Sequence, residues 1–435
     1  MPPPPEHSST AESITRAAAA LRAAEQPLRI LGLLAWPQEV RRAFLDGGAR
    51  RLPEVVYPKV DPAPVREALA DARRRFPDCG PARPWFERIA DRLETAAAMM
   101  THLGSAPFFE HSRRLYGAPG QTLADARATP LKLAQRMRRI LDRLSHIDLG
   151  APDDPHLTAE ELAARMRPAV AQFFGDEAPA VELVDQLSAN ATAGPSVIKI
   201  RRAARFTDRD VGQLIHHEAG IHVTTALNGR HQAALPILAA AHPGTTRTQE
   251  GLAVFAEFIT GHMDVDRLSR LTDRVLAIQM AIDGADFVEV FGYFRERGSS
   301  EREAFEQARR VFRGGVLSGG APFTKDVVYL DGLLRVHDFL RSVVAGGRAD
   351  LLLLLFCGKL DLEDVPVLCE LADLGLVEAP KFLPPWAADR RFLVSYLAYS
   401  GFLGRVRLGD VHRRLARLLH EVPPVRFTGP VAGGG

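Results

Sequence analysis

Residues 214–228 constrain this chain more than any other stretch. They read Leu-Ile-His-His-Glu-Ala-Gly-Ile-His-Val-Thr-Thr-Ala-Leu-Asn, with three histidines and a glutamate in otherwise apolar surroundings. His217, Glu218 and His222 form a His-Glu-x-x-x-His pattern, and Gln249-Glu250-Gly251-Leu252-Ala253 adds a second carboxylate downstream. Catalytic zinc takes three protein ligands and keeps a fourth position for water. On that chemistry His217, His222 and Glu250 are the expected ligands of one zinc ion. Glu218, beside the first ligand, is the expected base for the water in the open position.

The spacing makes a structural demand. Ligand histidines on a helix usually stand four residues apart, on one face. Here they stand five apart, which a regular α-helix would splay. A wider π-type turn brings i and i+5 together, so a locally irregular helix is predicted between His217 and His222. Gly220, between them, is expected to ease the distortion.

The motif residues also carry a family resemblance. His217-Glu218-Ala219-Gly220-Ile221-His222, followed by Gln249 to Ala253 and Glu257, resembles the QEGLA-motif family of bacterial proteins, labelled modulators of flavohaemoglobin expression. Their eukaryotic relatives are the microtubule-associated tyrosine carboxypeptidases. The resemblance runs from about residue 28 to about residue 386 and includes Trp36-Pro37, Thr324-Lys325-Asp326, Tyr329 and Gly332. It implies a peptide or protein C-terminus as substrate and a carboxypeptidase reaction, with a tyrosine-like last residue.

Patterning around the motif points to an α+β chain that is predominantly helical. Thr158 with Glu161, and Ser300 with Glu303, are capping boxes that start helices, and Thr207 to Asp210 supplies an N-cap ahead of the histidines. Residues 181–184 and 196–202 read as strands joined by a loop containing Asn190 and Gly194-Pro195. In the second strand Ile198 and Ile200 are expected to face one way and Lys199 and Arg201 the other. A small sheet leading into a histidine-bearing helix resembles the zincin metallopeptidase core, where an edge strand pairs with the substrate backbone. The expected organisation is a disordered tail over 1–12, a helical region over 13–150, a zincin-like catalytic core over 151–345 and a helical region over 346–435. Asp153 and Asp154 mark a linker between the second and third of these.

A peptidase also needs a donor for the developing oxyanion, and a carboxypeptidase needs a cation for the terminal carboxylate. Tyr329 and His337 are the candidate donors. Lys325, Arg313, Lys199 and Arg201 are the candidate cations. Lys325 and Tyr329 stand four apart at a helix start, so both can face one cleft. Glu257, seven residues past Glu250, is a candidate second-shell partner for a ligand histidine.

Composition narrows the remaining classes. Net charge is +2 over 435 residues, with both signs mixed, which offers nucleic acid no basic surface. Three cysteines form no pair motif and suit a reducing compartment. The proline-rich start lacks the features of a signal peptide, and the longest apolar run is too short to span a bilayer. A cytoplasmic protein, off the membrane, is therefore expected. Two other functions stay open: a regulatory or binding protein that retains the metal, and a hydrolase of a non-peptide amide.

Overall fold

The computed structural model describes residues 5–403 apart from 29, 123–127, 145–146, 148–154 and 188. The linker expected at Asp153 and Asp154 and the residues after 403 lie outside these. The first helix, α1, spans Pro5–Glu25. It occupies part of the stretch expected to be a disordered tail. Proline is tolerated in the first turn of a helix, and no later proline or glycine interrupts this one before Glu25. Ile14, Ala17, Ala18, Leu21 and Ala24 recur at helical spacing and are fully buried. They pack on α2 (Ala63–Arg73) and α3 (Arg83–Thr101) through Val65, Leu69, Trp85, Phe86 and Ile89.

The same hydrophobic cluster continues into residues far along the chain, including Leu252, Ala253, Val336, Leu340, Leu393 and Leu397. The boundaries expected near residues 150 and 345 therefore do not separate hydrophobic cores. The N-terminal helices are built onto the elements that carry the motif.

Further along the chain come α4 (Ala159–Phe174) and a three-stranded sheet. Thr158 and Glu161 form the expected capping box of α4, and Pro168 lies inside the helix. Strands β1 (Ala180–Val184), β2 (Ala191–Ala193) and β3 (Val197–Arg201) lie in the order β1-β3-β2. β1 pairs with β3 in parallel, Val181 opposite Ile198, and β2 pairs with β3 antiparallel, Ala193 opposite Ile198. β2 falls in the segment expected to be loop. It is an Ala-Thr-Ala triplet with no alternation to betray it, and its strand character comes from pairing alone. Ile198 and Ile200 enter a core with Leu162, Met166, Ala219 and Val223. Lys199 is exposed, but Arg201 is buried, contrary to the expected alternation. An ion pair to Glu306 at 2.9 Å and a hydrogen bond to Asn190 Oδ1 at 2.6 Å satisfy it there.

Helix α5 (Asp208–Leu214) starts with a Thr207–Asp210 capping box and runs directly into a π-helix over Ile215–Val223. Helix α6 (Thr224–His231) continues the same rod. After a return loop, α7 (Pro243–Ile259) carries Glu250 and Glu257. Then follow α8 (Val265–Ile282), α9 (Glu301–Phe312), α10 (Val328–Ala345) and α11 (Arg390–Leu403). α7 packs on both the π-helix and α10. Glycine permits the second contact: a Cβ on Gly251 would lie 2.2 Å from the Gly332 carbonyl carbon, so the two backbones touch there. Gly251 directly follows Glu250, which fixes that carboxylate against the start of α10. Among the described residues no helix is long and apolar enough to cross a membrane.

Candidate metal centre

The π-helix resolves the spacing problem in the motif. Five residues of α-helix turn by about 500°, leaving the first and last about 140° apart. The i to i+5 bonding of a π-helix removes most of that offset. The His217 and His222 rings accordingly meet edge to face, with centroids 4.9 Å apart. The bulge does not depend on Gly220 in the way expected. Its φ is not positive, and a Cβ there would meet only Ile215 O at 3.6 Å and Pro384 Cβ at 4.0 Å. The segment packs between the sheet core, through Ala219 and Val223, and α7.

Glu250 supplies the third donor. Its Oε2 lies 3.5 Å from His217 Nε2 and 3.6 Å from His222 Nε2, and the three ligand atoms all fall within 4.8 Å of one another. Donors about 2.0–2.2 Å from a tetrahedral zinc are separated by about 3.3–3.6 Å, and both distances from Glu250 match that. Glu250 Oε2 is buried with no hydrogen-bond partner. An orphaned carboxylate oxygen between two imidazoles is unfavourable unless a cation joins it. The residues present fit a divalent metal.

The surroundings favour a cation at the same point. Glu257 is fully buried. Its Oε1 accepts from His217 Nδ1 at 2.7 Å and Gln213 Nε2 at 2.8 Å, and Arg267 donates to both of its oxygens at 2.8 Å. Glu257 thus stands behind His217, where it keeps the proton on Nδ1 and leaves Nε2 available to a metal. Burial disfavours its charge, yet Arg267 and His217 hold Glu257 well below the carboxylate range. Burial also disfavours a charged His217, but Glu250 and Glu257 outweigh it and hold the ring up at about 10. A site that draws a proton so strongly onto Nε2 will draw a metal cation there in its place. His222 is lowered, chiefly by burial. Glu250 lies well below its ordinary value: burial opposes its charge, but Lys325 and the two histidines outweigh that. Glu218 is buried beside them, and its charge acts on His217, His222 and Lys359.

The other expected residues divide into two groups. Lys325 and Tyr329 are at the centre. Lys325 Nζ is 2.8 Å from Glu250 Oε1 and 5.0 Å from the centroid of the Tyr329 ring. This corrects the expected role of Lys325: its charge is taken up by the Glu250 carboxylate rather than open to a substrate. The Tyr329 hydroxyl accepts from Arg310 at 3.3 Å, which leaves its own proton free to donate. Arg313 is close by but fully buried, its guanidinium 5.6 Å from the Phe323 ring centroid, and burial and Arg310 push it down to about 10. Lys199 and Arg201 lie on β3, Lys199 exposed opposite Glu182 and Thr192, Arg201 tied to Glu306. His337 is not at the centre either: it bonds Ser400 at 3.2 Å and packs on Phe255 and Tyr396.

Several residues at the centre escaped the sequence reading. Lys359 is buried with its Nζ 3.2 Å from the His222 carbonyl and 3.3 Å from Gln249 Oε1, and burial lowers it to about 8. Gln249 Oε1 also accepts from Thr225 at 2.8 Å, linking α7 to α6. Beyond Tyr329 lies an arginine layer of Arg267, Arg274 and Arg310 with Asp326. A legible signal existed for part of it: Arg267 and Arg274 are seven apart and so share a helix face.

A family model described as microtubule-associated tyrosine carboxypeptidase matches residues 42–405. No curated protein matches the chain.

Proposed function

The chain belongs to the microtubule-associated tyrosine carboxypeptidase family, and from that premise we propose that it is a zinc-dependent carboxypeptidase that removes a tyrosine-like C-terminal residue from a peptide or protein. The observation that carries the proposal is the orphaned Glu250 Oε2 facing two imidazole nitrogens, with Glu218 buried alongside. His217, His222 and Glu250 would hold the ion. When bound, zinc supplies a Lewis acid that acidifies water and polarises a carbonyl.

The chain's own residues do the rest. Glu257 orients His217, and Lys325 anchors Glu250 through the oxygen that does not face the histidines. The Glu218 carboxylate takes the proton of the attacking water and passes it to the departing amine. The Tyr329 hydroxyl donates to the oxygen that gains charge on the substrate carbonyl. The zincin-like arrangement belongs to the same reading, with edge strand β2 packed against the π-helix and available to the substrate backbone. So does the likeness to the bacterial QEGLA-motif branch, which rests on Gln249 to Ala253 and the histidine motif.

Elemental analysis of the purified protein should find about one zinc per chain, and His217→Ala should lose it. Glu218→Gln should keep the zinc and lower turnover of a tyrosine-ended peptide by about 10²–10⁴-fold. Full activity in Glu218→Gln, or a protein that takes up no zinc, would refute the reading. Zinc bound without cleavage of any C-terminal peptide library member would refute the carboxypeptidase assignment alone.

A further inference from the structure

The arginine layer behind Tyr329 holds a guanidinium with no carboxylate of its own. Arg310 has one: Asp326 accepts from its Nε at 2.5 Å and from its Nη2 at 3.0 Å. Arg267 has Glu257, and Lys325 has Glu250. Arg274 differs. Its Nε donates to the neutral amide oxygen of Gln307 at 3.1 Å. The nearest carboxylate oxygen, Asp326 Oδ2, is 3.8 Å from that Nε and already engaged by Arg310. Among the described residues neither Nη nitrogen of Arg274 has a partner, although the side chain is only 9% exposed. A guanidinium has five N–H donors in a planar fork that matches a carboxylate. Buried and unmatched, it is costly, and burial together with Arg310 lowers its affinity for its own proton.

Its position relates it to the metal centre. Arg274 Cζ lies 5.6 Å from the Tyr329 ring centroid, and Lys325 Nζ, which touches Glu250, lies 5.0 Å from the same centroid. The unmatched fork and the ammonium on Glu250 therefore lie against the same aromatic ring. A peptide cut at its last bond carries its terminal carboxylate only about 3–4 Å beyond the scissile carbonyl. The cation that receives it must stand beside the centre. Lys199 and Arg201 are on the sheet, and Lys325 is occupied by Glu250. We propose that Arg274 is the residue that receives the substrate's C-terminal carboxylate, with its two free Nη donors forming a forked pair to it beside Arg310 and the Tyr329 ring. This rests on the carboxypeptidase reading above and adds the determinant of its exo-specificity.

The test is binding rather than turnover. Calorimetry on the full-length, as-purified protein would compare N-acetyl-tyrosine with N-acetyl-tyrosinamide, in wild type, Arg274→Gln and Arg274→Lys. The acid should bind at least about tenfold more tightly than the amide, because only the acid offers a charged partner. Arg274→Gln should weaken the acid by about 10–100-fold and leave the amide unchanged, with Arg274→Lys between, since it keeps the charge and loses the fork. Arg274 leaves no carboxylate stranded when removed, so the melting temperature should hold in both variants. Unchanged acid affinity in Arg274→Gln would overturn the proposal. So would equal binding of N-acetyl-glutamic acid α-amide, which presents only a side-chain carboxylate. Peptide cleavage separates the two readings. A wild type that binds the acid through Arg274 yet cuts nothing refutes the reaction and supports the carboxylate site. A wild type that cuts free-acid peptides with the same KM in Arg274→Gln refutes the site and supports the reaction.

Discussion

Two arginine-rich clusters are buried in this molecule, and they are built on opposite principles. One surrounds Glu306 on α9: Arg41, Arg201 and Arg309 approach its carboxylate at 2.7, 2.9 and 2.5 Å. It ties the N-terminal part of the chain and the sheet to α9, with the anion at its centre supplied by the fold. The other lies behind Tyr329. There Asp326 is engaged by Arg310, and Arg274 is left with a neutral amide. The first cluster has its anion built in and reads as structural. The second is short of an anion beside a candidate catalytic centre, where a substrate could bring one. Burying a charge is tolerable when the partner is built in. Where it is not, the vacancy points to a ligand.

Removing Glu306 should give the largest effect. Glu306→Gln strands Arg41, Arg201 and Arg309 in a buried site, and losing one partner of a buried pair costs about 3–5 kcal/mol. Chemical denaturation should show a loss of that order, with zinc content unchanged because no metal donor is touched. The pH dependence carries the same signature. Burial opposes the Glu306 charge, yet Arg309, Arg201 and Arg41 pull it down to about 2 from an ordinary 4.5. A depressed folded value means the stabilisation is present above about 4.5 and is lost as pH falls towards about 2. The stability of Glu306→Gln should therefore fall less steeply than wild type over that window. Equal slopes would break the contrast from the structural side.

Glu257→Gln probes a carboxylate that belongs to both worlds. It is built in, like Glu306, but it holds His217 as well as Arg267. Zinc affinity measured by chelator competition should fall about 10–100-fold, the usual loss when an outer-shell partner of a ligating histidine is changed. Affinity within twofold of wild type would mean that Glu257 serves only Arg267, and the centre would then lack its expected tautomer control.

The same division governs what could be read from the sequence. Features encoded within one turn were legible. The capping boxes at Thr158 and Ser300 and the N-cap at Thr207 formed as their spacing predicts. The five-residue interval between His217 and His222 announced the π-helix, because only a wider turn lets both rings meet. Features that exist only through contact were not legible. β2 is three residues long and owes its identity to β3. The Lys325–Glu250 pair joins residues 75 apart, so nothing local said that Lys325 would be consumed by a ligand rather than left for substrate. Arg201 looked solvent-facing by alternation until Glu306, on α9, claimed it. Arg274 sat among other arginines of α8, and its seven-residue spacing from Arg267 marked only a shared helix face. Its distinction is the partner it lacks, and a missing partner can be seen only after every neighbour is placed.

The smallest expected effect is also the one that separates the clusters most cleanly. Arg274→Met replaces an unmatched guanidinium by an apolar side chain of similar length. In the Glu306 cluster the same change takes one of three cations from a buried carboxylate and breaks the bond to Asn190, so Arg201→Met should destabilise. At Arg274 no carboxylate loses its principal partner, since Asp326 keeps Arg310 at 2.5 Å, and Gln307 gives up a single neutral acceptor contact. What is removed is a desolvated charge lying near Arg310, and exchanging such charges for well-packed apolar groups is often neutral or stabilising. Arg274→Met should therefore match or exceed wild-type stability by up to about 1 kcal/mol, while affinity for N-acetyl-tyrosine is lost. Thermal melts of Arg274→Met and Arg201→Met, run side by side, check this. If both variants melt well below wild type, Arg274 is as structural as Arg201, and the two clusters are not different in kind.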